Sequence, residues 1–240
     1  MSNPKLSIVT VCRNVLPALQ RTAESVCTQT FTDYEYIVVD GASTDGTTEW
    51  LQNRQDILWH SEPDDGIYDA MNKGVCRAKG EWIIFMNAGD TFYDNEVLRH
   101  TVPYLQDGLG LVYGDIVKER HGRLVVKRAE LPHNAHRMFF CHQALFTRTQ
   151  LLREMPFDTR HRFSADFKFV KQALQRQIAM RHIPLVIAHF DTSGISNTHV
   201  NDGLRDNIAV VREMDTNASR TWFVLRLQAR IFWNTIRGRQ

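Results

Sequence analysis

The sequence predicts an α/β fold: one domain on a Rossmann-like, mostly parallel sheet with flanking helices, a mixed second half and a basic C-terminal helix. Two observations carry this prediction. Short β-branched or apolar runs alternate with amphipathic helical patterns up to about residue 95, as in βαβ units. With 240 residues, 43% of them hydrophobic and 23% charged, the chain has the composition of a globular protein that buries a sizeable core.

The first two strand candidates are each followed by a helical pattern. Leu6–Cys12 is rich in β-branched residues, and the pattern after it predicts a helix up to about Gln29. Tyr34–Asp40 is interpreted as a second buried strand. It leads through a loop rich in Ser, Thr and Asp, whose side chains are suited to capping a helix that begins near Thr47.

The same unit recurs in the next stretch. Ile57–Trp59 predicts a short third strand, and apolar residues at helical spacing from Ile67 to Ala78 predict a helix that ends at Gly80. The apolar run within 81–90 predicts a buried fourth strand that stops on a small polar cluster. Four strand candidates alternating with three helix candidates imply right-handed crossovers and a parallel sheet. The strand ends are therefore expected at one edge, where open α/β sheets bind ligands.

Beyond residue 95 the alternation loosens. The patterns predict helices at 95–106, 164–177 and 204–214, strands at 110–113, 143–147 and 179–190, a hairpin at 117–127 that turns at His121-Gly122, and a polar loop at 192–203. No internal repeat or low-complexity linker divides the chain. We predict one domain over 1–215, with 1–95 as a nucleotide-binding half and 96–215 as an acceptor half, followed by a basic amphipathic helix over 216–240.

Charge and cysteine content argue against several classes of protein. The net charge of +2 gives no overall field for nucleic acid, and Lys and Arg are scattered except near the end of the chain. The four cysteines form no C-x-x-C pair and have no histidines at zinc-site spacing, which predicts reduced thiols in a cytosolic protein. No apolar run is long enough for a signal peptide or a membrane span. We expect a cytoplasmic protein that binds no nucleic acid.

The polar cluster after the fourth strand predicts a metal site. Asn87 and Asp90 offer oxygen ligands that suit Mn²⁺ or Mg²⁺, and such an ion would in turn hold the phosphates of a nucleotide. Asp40, at the end of the second strand, can accept hydrogen bonds from a base or a ribose. Neither a GxGxxG nor a P-loop pattern is present. The alternative is an ordinary turn, because Asn-Ala-Gly-Asp is typical turn composition.

Four segments, in order along the chain, resemble the motifs of family 2 glycosyltransferases with the GT-A fold. They are Ser7–Asn14, Tyr36–Thr47, Glu62–Gly74 and Lys79–Asp90, and the resemblance resumes at His142-Gln143 and Ser164–Asp166. The third and fourth segments are similar to a bacterial branch that builds exopolysaccharide and O-antigen repeat units. The resemblance implies an inverting, metal-dependent transfer of a sugar from a UDP- or GDP-linked donor to a glycan or undecaprenyl-linked acceptor.

The resemblance also implies roles for individual residues. Asp40 matches the acid that reads the nucleotide base, and Asp90 matches the metal-ligating acid. Arg13 stands where many relatives place an aromatic side chain, so it could stack on the base or stay in solvent. Gly41 and Gly89 replace second acids of the two family motifs. The implied donor contacts are Val11, Arg13, Asp40, Asp65, Asn87 and Asp90.

Asp166 matches the family's general base. Inverting transfer needs a carboxylate to take the proton of the acceptor hydroxyl, while the metal stabilises the departing diphosphate. The alternative is an acid that complements the dipole of a helix capped by Ser164. His199, in a polar loop, is expected to complete the metal shell or to contact the diphosphate, whereas His142 among apolar neighbours is interpreted as a core residue.

The tail at 220–240 contains five arginines and no acid. At helical spacing, one stripe comprises Trp222, Arg226, Arg230, Trp233 and Arg237, and the residues expected to face elsewhere are Val224, Leu225, Ile231, Phe232 and Ile236. A basic helix with Trp and aliphatic residues is typical of a membrane-surface helix, which would place the protein peripherally at the inner face of the plasma membrane. Packing on the catalytic domain, or on a second subunit in a homodimer, is the alternative.

Two other functions compete with glycosyl transfer. A sugar-nucleotide nucleotidyltransferase shares the sheet architecture but needs a glycine-rich, basic loop after the first strand, and Val11–Pro17 contains no glycine. A catalytically inactive nucleotide-sugar-binding subunit is conceivable because the acid motifs are reduced. Nucleotide-diphosphate binding that manganese does not enhance would indicate such a subunit.

Overall fold

A computed structural model describes residues 3–120, 122–133, 136–191, 200–216 and 218–236 of the chain. The strands among these residues are β1 Leu6–Cys12, β2 Tyr34–Asp40, β3 Leu58–Ser61, β4 Trp82–Phe85, β5 Thr91–Phe92, β6 Leu111–Arg120, β7 Arg123–Lys127, β8 Leu145–Arg148 and β9 Met180–Phe190. The helices are α1 Leu16–Cys27, α2 Thr47–Gln52, α3 Ile67–Arg77, α4 Val97–Thr101, α5 Thr149–Glu154, α6 Ala165–Gln175, α7 Val200–Met214 and α8 Ala218–Ile236.

The strands form one sheet in the order β3-β2-β1-β4-β8-β6-β9-β5, with β7 paired to β6 beside this path. Strands β3, β2, β1 and β4 are parallel, and α1, α2 and α3 connect them along the chain. Strand β8 is antiparallel to both of its neighbours, β4 and β6, whereas β6 and β9 are parallel. The predicted α/β fold with a mostly parallel first half and a mixed second half is confirmed.

Both faces of the sheet are buried, which explains the apolar runs of the parallel strands. In β1, Leu6 and Ile8 belong to the core that contains Leu19 of α1, whereas Val9 belongs to the core that contains Met71 of α3. Successive side chains point to opposite faces because the period of a strand is two residues. Helices on both faces therefore require apolar side chains at nearly every position of the strand.

Several elements differ in extent from the prediction. The strand expected at 110–113 and the first arm of the hairpin form the single strand β6. The helix expected at 95–106 is limited to α4 and a 3-10 turn, Val102–Tyr104, because Pro103 has no N–H with which to continue an α-helix. The sequence does not predict α5, or β5, a two-residue strand that pairs with the distant β9. Helix α7 begins at Val200, inside the predicted loop, of which 192–199 lie outside the described residues.

Helix α8 packs on α7. Ile208 of α7 forms a small buried cluster with Val224 and Leu227, and Asn234 Nδ2 donates to Asn201 Oδ1 at 2.9 Å. No helix in the described ranges is both long and apolar enough to cross a membrane. The division of the chain at residue 215 stays a prediction.

The five apolar residues of α8 that are expected to face away from the predicted stripe divide between two faces of the helix. Val224 is buried and Ile231 is half-buried, because both lie on the side of α8 that contacts α7. Leu225, Phe232 and Ile236 are exposed instead. They join the exposed tryptophans of the predicted stripe, so the outer face of α8 is more apolar than the sequence pattern indicates.

Candidate active site

The ends of β1, β2 and β4 meet at one edge of the sheet. Cys12 and Asp40 are paired in the last register position of β1 and β2. Strand β4 ends at Phe85, but the chain continues along β1, since the Met86 N–H donates to Val9 O at 2.9 Å and the Ala88 N–H donates to Val11 O at 3.3 Å. The first, second and fourth of the motif segments are therefore brought together, and Val11 contributes backbone to the edge.

Asp40 is fully buried and anchors the loop that follows β2. Its carboxylate accepts hydrogen bonds from the Ser43 N–H at 3.0 Å, from the Ser43 hydroxyl and from the Ser61 hydroxyl at 2.6 Å. The Cys12 thiol also points at Asp40, and burial, with the charge of Asp40 next, raises the pKa of Cys12 well above its usual value. Cys12 is therefore an inert, neutral thiol at this edge.

The space beside Gly41 is filled by side chains from two other segments. A Cβ at position 41 would lie 2.2 Å from Asp64 Oδ2 and 3.2 Å from Arg13 Cδ. The Asp64 carboxylate thus fills the space that a side chain at position 41 would take. Asp65, the donor contact implied by the sequence, is exposed, and its N–H donates to Asp69 Oδ2 at 3.1 Å. Of the two neighbouring acids, Asp64 is the one that lies at the edge.

Residues Asn87–Asp90 form a tight turn that α1 holds in place. The Asp90 N–H donates to Asn87 O at 2.9 Å, and Gly89 has a φ of 110°, which a side chain would strain. The Thr22 hydroxyl donates to Asp90 O at 2.7 Å and accepts from the Gly89 N–H at 3.0 Å. The turn that the sequence predicts as the alternative is therefore present, and it positions the two candidate metal ligands, Asn87 and Asp90.

The oxygen atoms of this turn lack some of the partners that buried polar groups need. Asn87 Oδ1 is buried and has no hydrogen-bond partner among the described residues. Asp90 is 5% exposed, and burial raises the pKa of its carboxyl to about 6 although the Asp191 N–H donates to Oδ1 at 2.8 Å. A buried amide oxygen without a partner and a carboxylate whose charge is poorly solvated both fit a divalent cation with oxygen ligands.

Asp191, at the end of β9, is a site residue that the sequence reasoning missed. A Cβ at Gly89 would lie 2.7 Å from Asp191 Oδ2, so this carboxylate occupies the space beside the turn. A carboxylate from the residue after β9 therefore lies where a side chain at position 89 would stand. Its sequence signal is modest, a lone acid directly after an apolar strand. His199, the second predicted ligand, lies outside the described residues.

Asp166 lies in the first turn of α6, facing the same crevice. Its Oδ1 accepts from the Tyr68 hydroxyl and from the Phe167 N–H, each at 2.8 Å. Burial favours the neutral acid, but the hydrogen bond and charge of His142, with the bond from Tyr68, outweigh it and lower the pKa of Asp166. Ser164 precedes the helix without a capping hydrogen bond from its side chain. Asp166 is thus an ionised carboxylate at neutral pH.

His142 connects the two carboxylate sites. Its Nδ1 lies 3.3 Å from Asp166 Oδ2, and its Nε2 lies 3.4 Å from Asn87 Nδ2. Burial lowers the pKa of this imidazole, but Asp166, with a smaller contribution from Asp90, raises it overall. The interpretation of His142 as a core residue is therefore incomplete. The sequence pattern predicts Tyr68, inside the third motif, only as part of a helix. Its hydroxyl is the group that orients Asp166.

A second group of potential metal ligands lies away from this edge. Ligand atoms of Asp158, His161 and Glu213 lie within 4.8 Å of one another. The buried Lys168 Nζ already bridges the two acids, at 2.6 Å from Asp158 and 2.5 Å from Glu213. We interpret this group as an ion-pair network that fastens α7 to α6.

Comparisons with known proteins agree on the family. The family model of "Glycosyl transferase family 2" matches residues 7–176. The PGL/p-HBAD biosynthesis glycosyltransferases of Mycobacterium bovis and Mycobacterium tuberculosis are 31% identical over 210 residues, or 83% of this chain and 82% of theirs. The putative teichuronic acid biosynthesis glycosyltransferase TuaG of Bacillus subtilis is 33% identical over 92 residues, 36% of each chain.

Solved structures share the fold at low sequence identity. S. aureus TarS in complex with UDP has a TM-score of 0.66 at 16% identity, covering 95% of this chain and 72% of the TarS chain. The mannosyltransferase PcManGT from Pyrobaculum calidifontis, in complex with GDP-Man and Mn²⁺, has a TM-score of 0.69 at 18% identity, covering 96% of this chain and 70% of its own. Fold and motifs agree with the family match: the chain belongs to the family 2 glycosyltransferases and has their GT-A-type fold.

Proposed function

We propose that this glycosyltransferase is inverting and metal-dependent, and that it moves a sugar from a nucleotide-diphospho-sugar to a hydroxyl group of its acceptor. The observation that carries the proposal is the juxtaposition of two different carboxylate sites. Asp90 stands at the end of the parallel half, and Asp166 stands across the crevice, joined to that side through His142. One site suits a cation that would stabilise a departing diphosphate, and the other suits the proton of an attacking hydroxyl.

The donor would lie across the ends of β1, β2 and β4. Around Gly41, Asp64 offers a hydrogen-bond acceptor and the exposed Arg13 offers a planar cation for the base or the ribose, while the buried Asp40 would hold the loop that faces them. The backbone at Val11 belongs to the same rim, and Asp65, which is exposed next to Asp64, is an alternative donor contact. A UDP- or GDP-linked donor is supported by TarS, which binds UDP and UDP-GlcNAc, and by the mannosyltransferase with GDP-Man.

A Mn²⁺ or Mg²⁺ ion fits the oxygen atoms of this edge. Asp90, Asn87 Oδ1 and the Asp191 carboxylate would hold it, with His199 as a further candidate. When bound, such an ion neutralises the charge that develops on the departing diphosphate. The mannosyltransferase that shares the fold is in complex with Mn²⁺. The chain's own contribution is to keep these oxygen atoms buried and fixed by Thr22 and by the backbone of Asp191.

Asp166 is the proposed general base. The Tyr68 hydroxyl and the Phe167 N–H hold one carboxylate oxygen, and His142 approaches the other, so the group is oriented and ionised. As the acceptor oxygen attacks the anomeric carbon, its O–H bond breaks and the proton passes to Asp166. The bond to the donor phosphate breaks, and the nucleotide diphosphate leaves with the electron pair. Attack opposite the leaving group inverts the anomeric carbon.

We further propose that the acceptor is a glycan or an undecaprenyl-linked glycan of a bacterial surface polysaccharide, and that the enzyme works in the cytoplasm at the inner face of the plasma membrane. The mycobacterial relatives are named for PGL/p-HBAD biosynthesis, and TuaG is named for teichuronic acid biosynthesis. These names support an acceptor that belongs to the cell envelope.

The proposal is tested with a panel of UDP- and GDP-sugars. Purified protein is incubated with each sugar nucleotide, with manganese or with excess chelator, and released nucleotide diphosphate is measured. We expect hydrolysis of one donor class that depends on the metal and that falls in Asp90→Ala. Metal-independent release, or tight nucleotide-diphosphate binding without any hydrolysis or transfer, would overturn the proposal and favour an inactive binding subunit.

A further inference from the structure

The outer side of the α7–α8 helix pair carries a continuous apolar stripe. The stripe consists of Trp222, Leu225, Ala229, Phe232, Trp233 and Ile236 of α8, and its five large side chains are 58–66% exposed. At about 100° of rotation per residue, these positions cover a face about 100° wide that points away from the buried contact with α7. Five large apolar side chains this exposed along one helix indicate an interaction surface rather than scattered surface residues.

Arginines border the stripe on both sides. On one side, Arg226 and Arg230 of α8 lie along the edge of the stripe. The Arg226 guanidinium lies 5.6 Å from the centre of the Trp222 ring. On the other side, a groove of about 460 Å³ runs between the two helices, and its lining includes Phe232 of α8 with Arg205 and Arg212 of α7. The apolar stripe therefore lies between two rows of cations, which the α8 sequence alone does not reveal.

Acids do not offset this charge. Helix α8 contains no Asp or Glu. In α7, Asp206 and Glu213 bond to the ring of His161 at 2.7 and 3.0 Å, away from the stripe. Asp202 pairs with Arg205 at 2.8 Å. Within the described parts of the chain, the arginines of this surface without an ion pair are Arg212, Arg226 and Arg230.

We propose that this arginine-bordered face of α7 and α8 lies on an anionic lipid surface. The apolar stripe suits the acyl region, and arginines at both borders suit phosphate groups at the same depth. A second copy of the chain is a poor occupant, because a two-fold contact would set these arginines against one another without acids to pair with. The inference rests on the proposed function only in that a lipid-linked acceptor would be met at the same surface.

The test is co-sedimentation of the full chain with vesicles of phosphatidylcholine, alone or mixed with phosphatidylglycerol. We expect binding to the mixed vesicles at least about tenfold stronger than to the neutral ones, and weaker at about 1 M salt than at about 0.1 M. The double change Phe232→Ser/Trp233→Ser should lower partition by roughly tenfold or more, because both side chains leave water on binding. Arg226→Glu/Arg230→Glu should lower it by at least about fivefold for each arginine.

Matched variants control for exposure and charge. Leu124→Ser/Val126→Ser removes two similarly exposed apolar side chains from the β7 hairpin, and Arg123→Glu reverses an exposed arginine there. These variants should bind vesicles as the wild type does, and thermal melts should show that all variants fold. Absence of binding to anionic vesicles, equal binding by the stripe variant, or a dimer that Phe232→Ser/Trp233→Ser dissociates would overturn the inference. Donor hydrolysis without vesicles tests the proposed function separately, so the two can fail independently.

Discussion

The two halves of the molecule bring their functional groups to the crevice in different ways. In the parallel half, each group follows the end of its own strand, so Asp40 and Asp90 lie at the same edge of the sheet because β2 and β4 both pair with β1. In the second half, Asp166 begins a helix, and its orientation depends on Tyr68 and His142 from elsewhere in the chain. The first arrangement follows from topology, whereas the second follows from side-chain contacts.

The difference has an electrostatic consequence. Asp90 and Asp166 are carboxylates in the same crevice, yet burial raises the pKa of Asp90, while His142 and Tyr68 overcome burial and lower the pKa of Asp166. A buried carboxylate whose hydrogen-bond donors do not offset the cost of burial is one that a cation would stabilise. A carboxylate with donors already in place is oriented for proton transfer. The following substitutions separate these two roles.

The largest effect is expected for Asp166→Asn. The amide keeps the size of the side chain but cannot take the acceptor's proton, so turnover to a true acceptor should fall by roughly a hundred- to ten-thousand-fold. Donor affinity should change little, since the donor side is built on other strands. Steady-state kinetics with acceptor, together with donor titration, measure both quantities. A weakened donor affinity with normal turnover would assign Asp166 to binding instead.

A smaller effect, at the proposed metal site, is expected for Asp191→Asn. The change removes a negative charge next to Gly89 and Asp90, so Mn²⁺ affinity should fall by roughly ten- to a hundredfold. Electron paramagnetic resonance of free Mn²⁺ gives this affinity without any turnover. Asp94→Asn is the control, because its side chain bonds to the Glu96 N–H in an exposed loop. Equal Mn²⁺ affinity in both variants would remove Asp191 from the site.

The contact between the halves is probed by Tyr68→Phe. The change deletes one hydrogen bond to Asp166 but keeps the ring packed against Phe157. Because that bond favours the ionised carboxylate, its loss should raise the pKa of Asp166 and move the acidic limb of the turnover profile to higher pH. Turnover at neutral pH should fall by roughly tenfold. An unshifted acidic limb would show that Tyr68 does not act on the base.

The smallest effects concern stability. Lys168→Met removes the buried ammonium between Asp158 and Glu213, which should lower the free energy of unfolding by roughly 1–3 kcal/mol. Lys73→Met, which breaks the partly exposed pair with Asp69 at 2.9 Å in the other half, should cost less than about 0.5 kcal/mol. Urea unfolding measures both changes. Equal losses would contradict a special contribution of the Lys168 network.

The loss of stability in Lys168→Met should also depend on pH. The hydrogen bond from Arg160, followed by that from Lys168, lowers the pKa of Asp158. A lowered pKa means that the stabilisation is present above the unfolded-state value of about 3.9 and is lost as the pH falls further. The difference in free energy of unfolding between wild type and Lys168→Met should therefore narrow below about pH 4. A gap that widens there would reverse the assigned sign.

The same contrast explains how much the sequence could predict. Strand ends and their polar residues are local patterns, so the parallel sheet and the positions of Asp40, Asn87 and Asp90 were predictable. Asp64 and Asp191 fill the space beside Gly41 and Gly89, and only the fold brings them there. The pairing of His142 with Asp166 joins α6 to a second 3-10 turn, His142–Ala144, and no periodic pattern encodes this contact. The family resemblance supplied the proposed role of Asp166 as general base. From its position in the first turn of a helix alone, Asp166 would be interpreted as an acid that complements the helix dipole.

The central claim is that metal-assisted donor binding and proton removal are performed by separate carboxylates. Isothermal titration of UDP and GDP, with and without Mn²⁺, into wild type, Asp90→Ala and Asp166→Asn tests it directly. We expect Mn²⁺ to strengthen nucleotide-diphosphate binding in wild type and in Asp166→Asn, and to have no effect in Asp90→Ala, because the buried acid of the donor side is gone. Metal-enhanced binding that survives in Asp90→Ala, or that disappears in Asp166→Asn, would contradict the claim.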